Sequence, residues 1–141
     1  MNQTTEVGVK DYKKKLRWSL IPMKALEGCI RVLMYGATTK YAPDNWKKVK
    51  PQGVYLDAVY RHLSDYLDGE ELDSETRESH LSHVLCDVLF LEYDRCHRNK
   101  DISFDDYLNQ ILTYDDYAKT VSQEQIDKNY VANRHFGERD E

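Results

Sequence analysis

Regular spacing of apolar residues constrains the fold of this chain more than any other feature. In the stretch that ends near His97, apolar side chains recur every three or four positions, as Leu81, Val84, Leu85, Val88 and Leu91. This spacing places them on one face of a helix. No stretch of the chain shows the convincing apolar-polar alternation of a half-buried strand. The sequence therefore predicts an all-α protein with helices packed in a bundle.

Two earlier segments show the same periodicity. The first begins near Pro22, whose fixed φ suits an opening helical position, and is expected to stop at Gly36. The second runs from about Val54 to Leu67 and ends at Asp68-Gly69. Their expected core stripes are Met23, Leu26, Ile30 and Leu33 in the first, and Leu56, Val59, Leu63 and Leu67 in the second.

The remaining boundaries follow from capping residues and helix breakers. Asp73 or Ser74 is expected to cap the third helix, and two shorter helices are predicted at residues 103–112 and about 115–129. The breaker-rich segment 37–53 is expected to lack regular structure. We expect a single domain, divided into a loose basic arm (1–14), a core (15–98), C-terminal helices (99–133) and a tail (134–141).

Composition narrows the class of protein. Hydrophobic residues make up 40% and charged residues 32% of the 141 positions, as in soluble globular proteins. No apolar run approaches the length of a membrane span, and Met1 leads into a polar segment rather than a signal peptide. Cys29, Cys86 and Cys96 fit reduced thiols better than a zinc or disulfide framework. We therefore expect a cytoplasmic protein with no membrane partner.

Charge is segregated along the chain. Residues 1–50 carry eleven Lys and Arg against four acidic residues, whereas the later residues carry a net charge of −12. One interpretation is that the basic and acidic halves attract each other within or between subunits. The other is that a basic loop binds phosphates while the acidic residues after it bind a cation. Because the whole chain is acidic and lacks an Arg-rich aromatic pattern, a free nucleotide is a better candidate ligand than a nucleic-acid polymer.

A set of possible metal ligands lies on the third predicted helix. His80, His83 and Asp87 are spaced by three and then four positions, so their side chains share a face away from the leucine stripe. One helix rarely supplies a full coordination shell, so His62 from the second helix and Glu27 from the first are natural partners in a bundle. The same spacing also describes an ordinary polar helix face.

The segment after the first helix offers groups for a nucleotide. Lys40 and Lys47, or Lys48, can neutralise phosphate oxygens, Asn45 can bond a base or sugar, and the indole of Trp46 can stack on a base. The alternative is that Trp46 and Tyr41 anchor this loop to the core.

Several short motifs in a fixed order resemble one known family. They are Tyr35-Gly36-Ala37-Thr38-Thr39-Lys40-Tyr41, Asn45-Trp46, Arg61-His62, Gly69-Glu70 and His80-Leu81-Ser82-His83. From about Lys15 to His97 the chain resembles the bacteriophage dATP/dGTP diphosphohydrolase N-terminal domain family. This family is similar to the all-α nucleoside triphosphate pyrophosphatases related to MazG proteins.

The resemblance implies hydrolysis of a purine deoxynucleoside triphosphate to monophosphate and pyrophosphate, with Mg²⁺ or Mn²⁺ on acidic side chains. In a phage-encoded enzyme this would occur in the host cytoplasm. Asp87 and His62 are then the expected catalytic residues. The expected substrate-binding residues are Lys40, Tyr41, Asn45, Trp46, Lys47 and Arg61. The expected metal ligands are His80, His83, Asp87, His62 and Glu27.

The chain departs from the related pyrophosphatases in its carboxylates. Those enzymes carry Glu-x-x-Glu and Glu-x-x-Asp on consecutive helices, whereas here Glu27 is followed by Ile30, and the pair Glu75 and Glu78 lies at the start of the third helix. The alternative function is therefore a phage sponge that sequesters a nucleotide, including a cyclic signal of host defence, without hydrolysis. A helical interaction module is a third possibility. Eleven tyrosines also predict a homo-oligomer.

Overall fold

The computed structural model describes residues 15–98, 101–119 and 127–128 of the chain. These residues belong to two compact units, one of 22–101 and one in which 15–21 join the residues after 101. The arm expected at 1–14 and the tail expected at 134–141 lie outside the described residues, and the single-domain arrangement stays a prediction.

The larger unit is built from three helices. They are α1 (Glu27–Tyr35), α2 (Val54–Leu67) and α3 (His80–Arg98). Across the described ranges there is no strand, only an isolated antiparallel bridge between Leu72 and Ser79. The all-α prediction is confirmed. No helix in the described part of the chain has both the length and the apolar character that a membrane crossing requires.

Helix α2 begins and ends as predicted, and it runs antiparallel to α3. His62 near its end contacts His80 at the start of α3, and Tyr55 near its beginning contacts Phe90 two and a half turns further along α3. The chain reverses direction at Gly69, whose positive φ of 94° suits a residue without a Cβ.

Helix α1 ends at Tyr35, next to the predicted stop at Gly36, but helical backbone continues beyond that stop. A 3₁₀ turn, Met23–Leu26, precedes α1, and a π-helical turn, Gly36–Lys40, continues it. Gly36 itself has ordinary helical geometry, with φ −58°. The hydroxyls of Thr38 and Thr39 donate to backbone carbonyls of the preceding turn, which supports the continuation. The segment expected to be irregular therefore begins with a helical turn and contains another, Asn45–Lys48.

The expected cap of α3 is wrong in position. Asp73 accepts hydrogen bonds from the backbone N–H groups of Glu75 and Thr76, so it caps a local turn rather than α3. Arg77 then adopts a left-handed conformation, φ 62°, which a helix cannot contain. Helix α3 consequently begins at His80.

Helices α1 and α3 approach most closely at Gly28. A Cβ on Gly28 would collide with Ser82 Oγ and would lie 3.0 Å from Ser82 Cβ. Next to this contact the buried thiols of Cys29 and Cys86 face each other, with the Sγ atoms 2.8 Å apart. Ile30, expected in the core, is instead 43% exposed because the small residues form the contact face of α1.

The apolar stripe predicted for the core side of α2 is mostly exposed. Helix α2 packs against α3 through the face that carries Tyr55 and His62. Leu56, Leu63 and Leu67 are consequently turned outward, and Leu67 is 74% exposed. On α3, Leu81 and Val88 are also exposed. Apolar periodicity therefore predicts these helices correctly, but the apolar stripe does not mark the face of α2 that packs against α3.

The smaller unit contains a 3₁₀ turn (Trp18–Leu20) and two short helices, α4 (Phe104–Gln110) and α5 (Tyr114–Lys119). Ser103 caps α4 by accepting a hydrogen bond from the N–H of Asp106, as the predicted start required. Much of the last predicted helix, including residues 120–126, lies outside the described residues.

Candidate functional site

Three histidines from two helices meet at the end of the larger unit. His62 of α2 places its Nδ1 2.9 Å from Nδ1 of His80 on α3. The ring of His62 also stacks on that of His83, with centroids 4.3 Å apart and planes 11° apart. Burial lowers the pKa of both His62 and His83. Their rings are therefore neutral at pH 7 and each keeps a nitrogen lone pair.

Asp73 joins this cluster from the turn between α2 and α3. Its Oδ2 accepts from two backbone N–H groups and from the hydroxyl of Thr76, and the N–H groups help to hold its pKa below the usual range. Nε2 of His83 lies 2.7 Å from the same hydroxyl and 3.6 Å from Asp73 Oδ2. The turn therefore holds an ionised carboxylate in a fixed position beside the rings.

His80 is the most deeply buried of the three, at 1% exposure. Its Nε2 has no hydrogen-bond partner among the described residues, although Glu70 Oε1 lies 3.6 Å away. A buried ring nitrogen without a partner is unfavourable, so the hydrogen-bonding capacity of His80 Nε2 is left unmet by the described residues.

Two groups of possible cation ligands share His80. Within each group, one donor atom from every residue lies within 4.8 Å of the others. The first group is His62, Asp73 and His80, and the second is Asp65, Glu70 and His80. Asp87, His83 and Glu27, which were expected to be ligands, belong to neither group. Mg²⁺ prefers oxygen ligands, whereas imidazole suits Mn²⁺ only moderately and Zn²⁺ well, so the histidine-rich group fits Mg²⁺ poorly.

Asp87 lies one turn beyond His83 on α3 and is 9% exposed. Burial raises its pKa to about 7, and the positive charge of Arg61 on α2 partly opposes that rise. A carboxyl group with this pKa is partly protonated at neutral pH and can either donate or accept a proton.

A cavity of about 610 Å³ opens beside Asp87. Its lining is mostly apolar and comes from the end of α1, the segment after it, the start of α2 and the middle of α3. Lining residues with polar or aromatic side chains are Tyr41, Asp44, Asn45, Trp46, Tyr55, Asp87 and Phe90. Such a pocket, large and apolar with a few polar groups, is typical of small-molecule sites.

Trp46 is part of the cavity wall and is also anchored to α3. Its ring stacks on Phe90, with centroids 4.5 Å apart, and meets Tyr93 edge-on. The side chain of Gln52 donates to the carbonyl of Trp46, which ties the loop to the start of α2. The anchoring interpretation therefore holds for the ring contacts with α3, and the same side chain also lines the cavity.

Two basic residues of this segment, Lys40 and Lys47, are already paired. Lys40 forms an ion pair with Glu75, and Lys47 lies 3.3 Å from Asp44 and about 5.3 Å from the centroid of Trp46. Both pairs are largely exposed, so a phosphate could replace either carboxylate at small cost.

Glu27 faces a different partner from the one expected. It lies 3.9 Å from Arg31, whose guanidinium also binds Glu78 with two hydrogen bonds. This bridge ties α1 to the start of α3. The structure therefore places Glu27 in an ion-pair network, separate from the histidines.

Comparison with known proteins settles the family. The family model for the N-terminal region of dATP/dGTP diphosphohydrolases matches residues 5–103. The chain belongs to this family. A protein of Salmonella phage PMBT28 named dATP/dGTP diphosphohydrolase is similar to the chain, with 33% identity over 84 residues. That match covers 60% of this chain but only 28% of the phage protein, and no solved structure matches.

The motifs quoted from the sequence lie around the features just described. The histidine cluster takes His62 from the motif Arg61-His62, and His80 and His83 from His80-Leu81-Ser82-His83. The motif Asn45-Trp46 borders the cavity. Sequence reasoning missed Asp73 as a neighbour of the histidines because it was interpreted as a helix cap. The sequence did contain a signal for Asp73. It lies four residues after Gly69, within a turn that joins two histidine-bearing helices.

Proposed function

We propose that this member of the diphosphohydrolase family hydrolyses purine deoxynucleoside triphosphates to monophosphates and pyrophosphate. The observation that supports this most directly is the aromatic cavity beside the buried carboxyl of Asp87, near Arg61 and the histidine cluster. The printed name of the phage relative supports the same reaction.

The cavity suits the base and sugar of the nucleotide. Its apolar and aromatic walls would exclude water from a purine, and Tyr41 and Trp46 would contact the ring. The amide of Asn45 and the carboxyl of Asp87 are the polar groups that could distinguish one base or sugar from another.

Arg61 would direct the phosphates toward the histidines. Its charge lowers the pKa of Asp87 and also that of His62, so it stands within electrostatic reach of both. A guanidinium can bind two phosphate oxygens at once. Lys40 and Lys47, each in an exposed ion pair, would add charge when the triphosphate displaces their carboxylate partners.

In the proposed reaction a water molecule attacks the α-phosphorus, and pyrophosphate leaves. Asp87 is suited to accept the proton of that water because its pKa of about 7 matches neutral pH. His62 would stabilise the developing charge beside Arg61. A divalent cation, when bound, would neutralise phosphate oxygens, and of the two ions expected from the sequence Mn²⁺ fits the histidine donors better than Mg²⁺.

The sponge remains the second candidate function because of one observation. The carboxylates that most resemble a pyrophosphatase set are engaged elsewhere, with Glu27 and Glu78 on Arg31, and Glu75 on Lys40. A protein with the cavity but without this set could bind a nucleotide and release it unchanged.

Kinetics of one variant test the proposed role of Asp87. With dATP and dGTP in the presence of Mn²⁺, Asp87→Asn should lower kcat about 100-fold or more while changing KM little. The exposed Asp105→Asn in the smaller unit serves as the matched control and should behave like the unmodified chain. Equal kcat in Asp87→Asn and the unmodified chain would remove Asp87 from the mechanism.

A further inference from the structure

We infer that His62, His80 and Asp73 form a binding site for one divalent ion of the zinc class, with Glu70 orienting His80. The ion would be Zn²⁺, or Co²⁺ or Ni²⁺ in its place, and Mg²⁺ would bind far more weakly. This site keeps His62 and His80 from the ligands expected from the sequence and has Asp73 in place of the other three. It stands whether or not the nucleotide is hydrolysed.

The geometry of the two facing nitrogens is the first argument. Nδ1 of His62 and Nδ1 of His80 lie 2.9 Å apart. Two imidazoles bonded tetrahedrally to Zn²⁺ at roughly 2.0 Å hold their nitrogens roughly 3.3 Å apart, so a small opening of this pair admits the ion. Asp73 supplies the third donor within 4.8 Å, and its charge offsets that of the cation.

The hydrogen-bond pattern without a cation is the second argument. If His80 donates from Nδ1 to His62, its Nε2 carries a lone pair, and if it accepts, its Nε2 carries a proton. In both cases the buried Nε2 has no partner within hydrogen-bond distance. An ion on Nδ1 fixes the proton on Nε2, and a small movement of Glu70 Oε1, now 3.6 Å away, would bring that carboxylate within hydrogen-bond distance. A metal-bound histidine commonly donates its other N–H to a carboxylate in this way.

The surroundings of the three ligands are already ordered. Both backbone N–H groups and the Thr76 hydroxyl bind Oδ2 of Asp73, which leaves Oδ1 without a hydrogen bond among the described residues. His83 stacks on His62 and holds its ring plane. Three protein ligands leave a fourth position of a tetrahedral ion open to water or a phosphate oxygen, as in catalytic zinc sites.

A second cluster, at the end of α3 and just beyond it, provides an internal control. Glu92, Cys96 and Asp101 also bring their donor atoms within 4.8 Å of one another, but all three are exposed. Arg95 binds both carboxylates of that cluster with hydrogen bonds of 2.6–3.1 Å. A cation there would have to displace a guanidinium, so we expect no tight binding at this position.

Metal binding by the full chain tests the inference without reference to activity. The purified protein is stripped with a chelator and titrated with Co²⁺, followed by competition with Zn²⁺ and with excess Mg²⁺. We expect one Co²⁺ per chain with the visible absorption of a tetrahedral ion, displacement by Zn²⁺, and no displacement by Mg²⁺. His62→Gln and Asp73→Asn should each weaken binding by about 10-fold to 100-fold or more, on the scale known for metal-site changes.

Two controls keep the result specific. His97→Gln replaces an exposed histidine near the end of α3, and Cys96→Ser removes the thiol of the second cluster. Neither should change the affinity or the absorption spectrum. Circular dichroism of each variant checks that it is folded.

Imidazole nitrogen NMR of the unmodified chain gives an answer that needs no variant. Zn²⁺ should shift the resonances of His62 and His80 and leave that of His97 in place. Three results would overturn the inference: no stoichiometric Co²⁺ or Zn²⁺ binding, binding that His62→Gln and Asp73→Asn leave unchanged in the folded state, or histidine resonances that Zn²⁺ does not move.

Discussion

At the scale of single residues, burial determines what the candidate side chains can do. The spacing of His80, His83 and Asp87 predicts a shared helix face, but only the fold shows that α2 covers part of it. Asp87 consequently has its pKa raised to about 7, whereas Asp73, with its backbone hydrogen bonds, has its pKa lowered. Two aspartates close in sequence therefore differ in charge at neutral pH.

The raised pKa of Asp87 predicts a pH-dependent contribution to stability. Below pH 4 the carboxyl is protonated in both folded and unfolded states, and between its ordinary value of 3.8 and about 7 only the unfolded state ionises. The free energy of unfolding is therefore highest below this pH window and falls as the pH rises through it. Each pKa unit corresponds to about 1.4 kcal/mol, which limits the loss to about 4 kcal/mol.

Urea unfolding at about pH 5 and about pH 8 measures this effect. Relative to the unmodified chain, Asp87→Asn should gain stability as the pH rises, because asparagine cannot ionise. Parallel pH profiles of the two proteins would contradict the assigned burial of Asp87.

Trp46 offers a second prediction at this scale. Its indole borders the cavity while Phe90 and Tyr93 hold it in place. Trp46→Ala should weaken nucleotide binding by about 1–3 kcal/mol in calorimetry, the range for a base stacked on an aromatic ring. Trp18→Ala, which changes an exposed tryptophan of the smaller unit, should leave affinity unchanged. Equal losses in both variants would argue against a base at Trp46.

At the scale of helices, periodicity predicted the elements better than it predicted their contacts. The bounds of α2 followed from its spacing and from Asp68-Gly69 at its end. The start of α3 did not, because Asp73 caps its own turn and the positive φ of Arg77 interrupts the helical backbone before His80. Apolar periodicity did not predict the face of α1 that contacts α3. That contact uses the buried Gly28 and Cys29, which are not large apolar residues.

The contact at Gly28 predicts an unusual cost for a small side chain. Gly28→Ala should destabilise the protein by about 1–3 kcal/mol, since the added methyl collides with Ser82 and outweighs the helix preference of alanine. Adding Ser82→Ala removes the colliding oxygen and should restore part of the loss. Gly53→Ala is the matched control, because a Cβ there meets nothing within 4 Å. Thermal unfolding of the four proteins measures the difference, and equal stability of Gly28→Ala and Gly53→Ala would contradict the packing of α1 on α3.

At the scale of the whole molecule, the exposed stripe of α2 is the surface on which the predicted self-association would depend. Leu56, Tyr60, Leu63 and Leu67 lie on one helix face and are all exposed, with Tyr60 65% and Leu67 74% accessible. Apolar faces of this kind are typical of surfaces that pair with another protein. The sequence indicated the helix and its stripe, but periodicity alone cannot distinguish an interior from an interface.

Light scattering coupled to size exclusion tests the oligomer. We predict a dimer or larger assembly for the unmodified chain, and a shift to monomer in the double variant Tyr60→Glu, Leu67→Glu. Ile111→Glu, at a position 67% exposed in the smaller unit, should leave the assembly intact. A monomeric unmodified chain at micromolar concentration would contradict the prediction.

The candidate site was also predictable in part. Motifs placed His62, His80 and His83 together, because they lie on neighbouring helices. Asp73 and Glu70 lie near the histidines because of how the turn between α2 and α3 folds. Glu27 does not join them because it belongs to the ion-pair network of Arg31. The position of Asp73 in that turn was a local signal, whereas the approach of Glu70 to His80 and the ion pair of Arg31 are tertiary contacts that no local pattern in the sequence records.

Product analysis by phosphorus NMR tests the central claim most directly. The purified protein is incubated with dGTP and Mn²⁺, and in a parallel reaction with dATP, before quenching with a chelator. The proposed hydrolysis predicts equal amounts of deoxynucleoside monophosphate and pyrophosphate, growing with time. Recovery of the intact triphosphate bound to the protein would contradict hydrolysis and establish the sponge, and release of diphosphate with inorganic phosphate would contradict attack at the α-phosphorus.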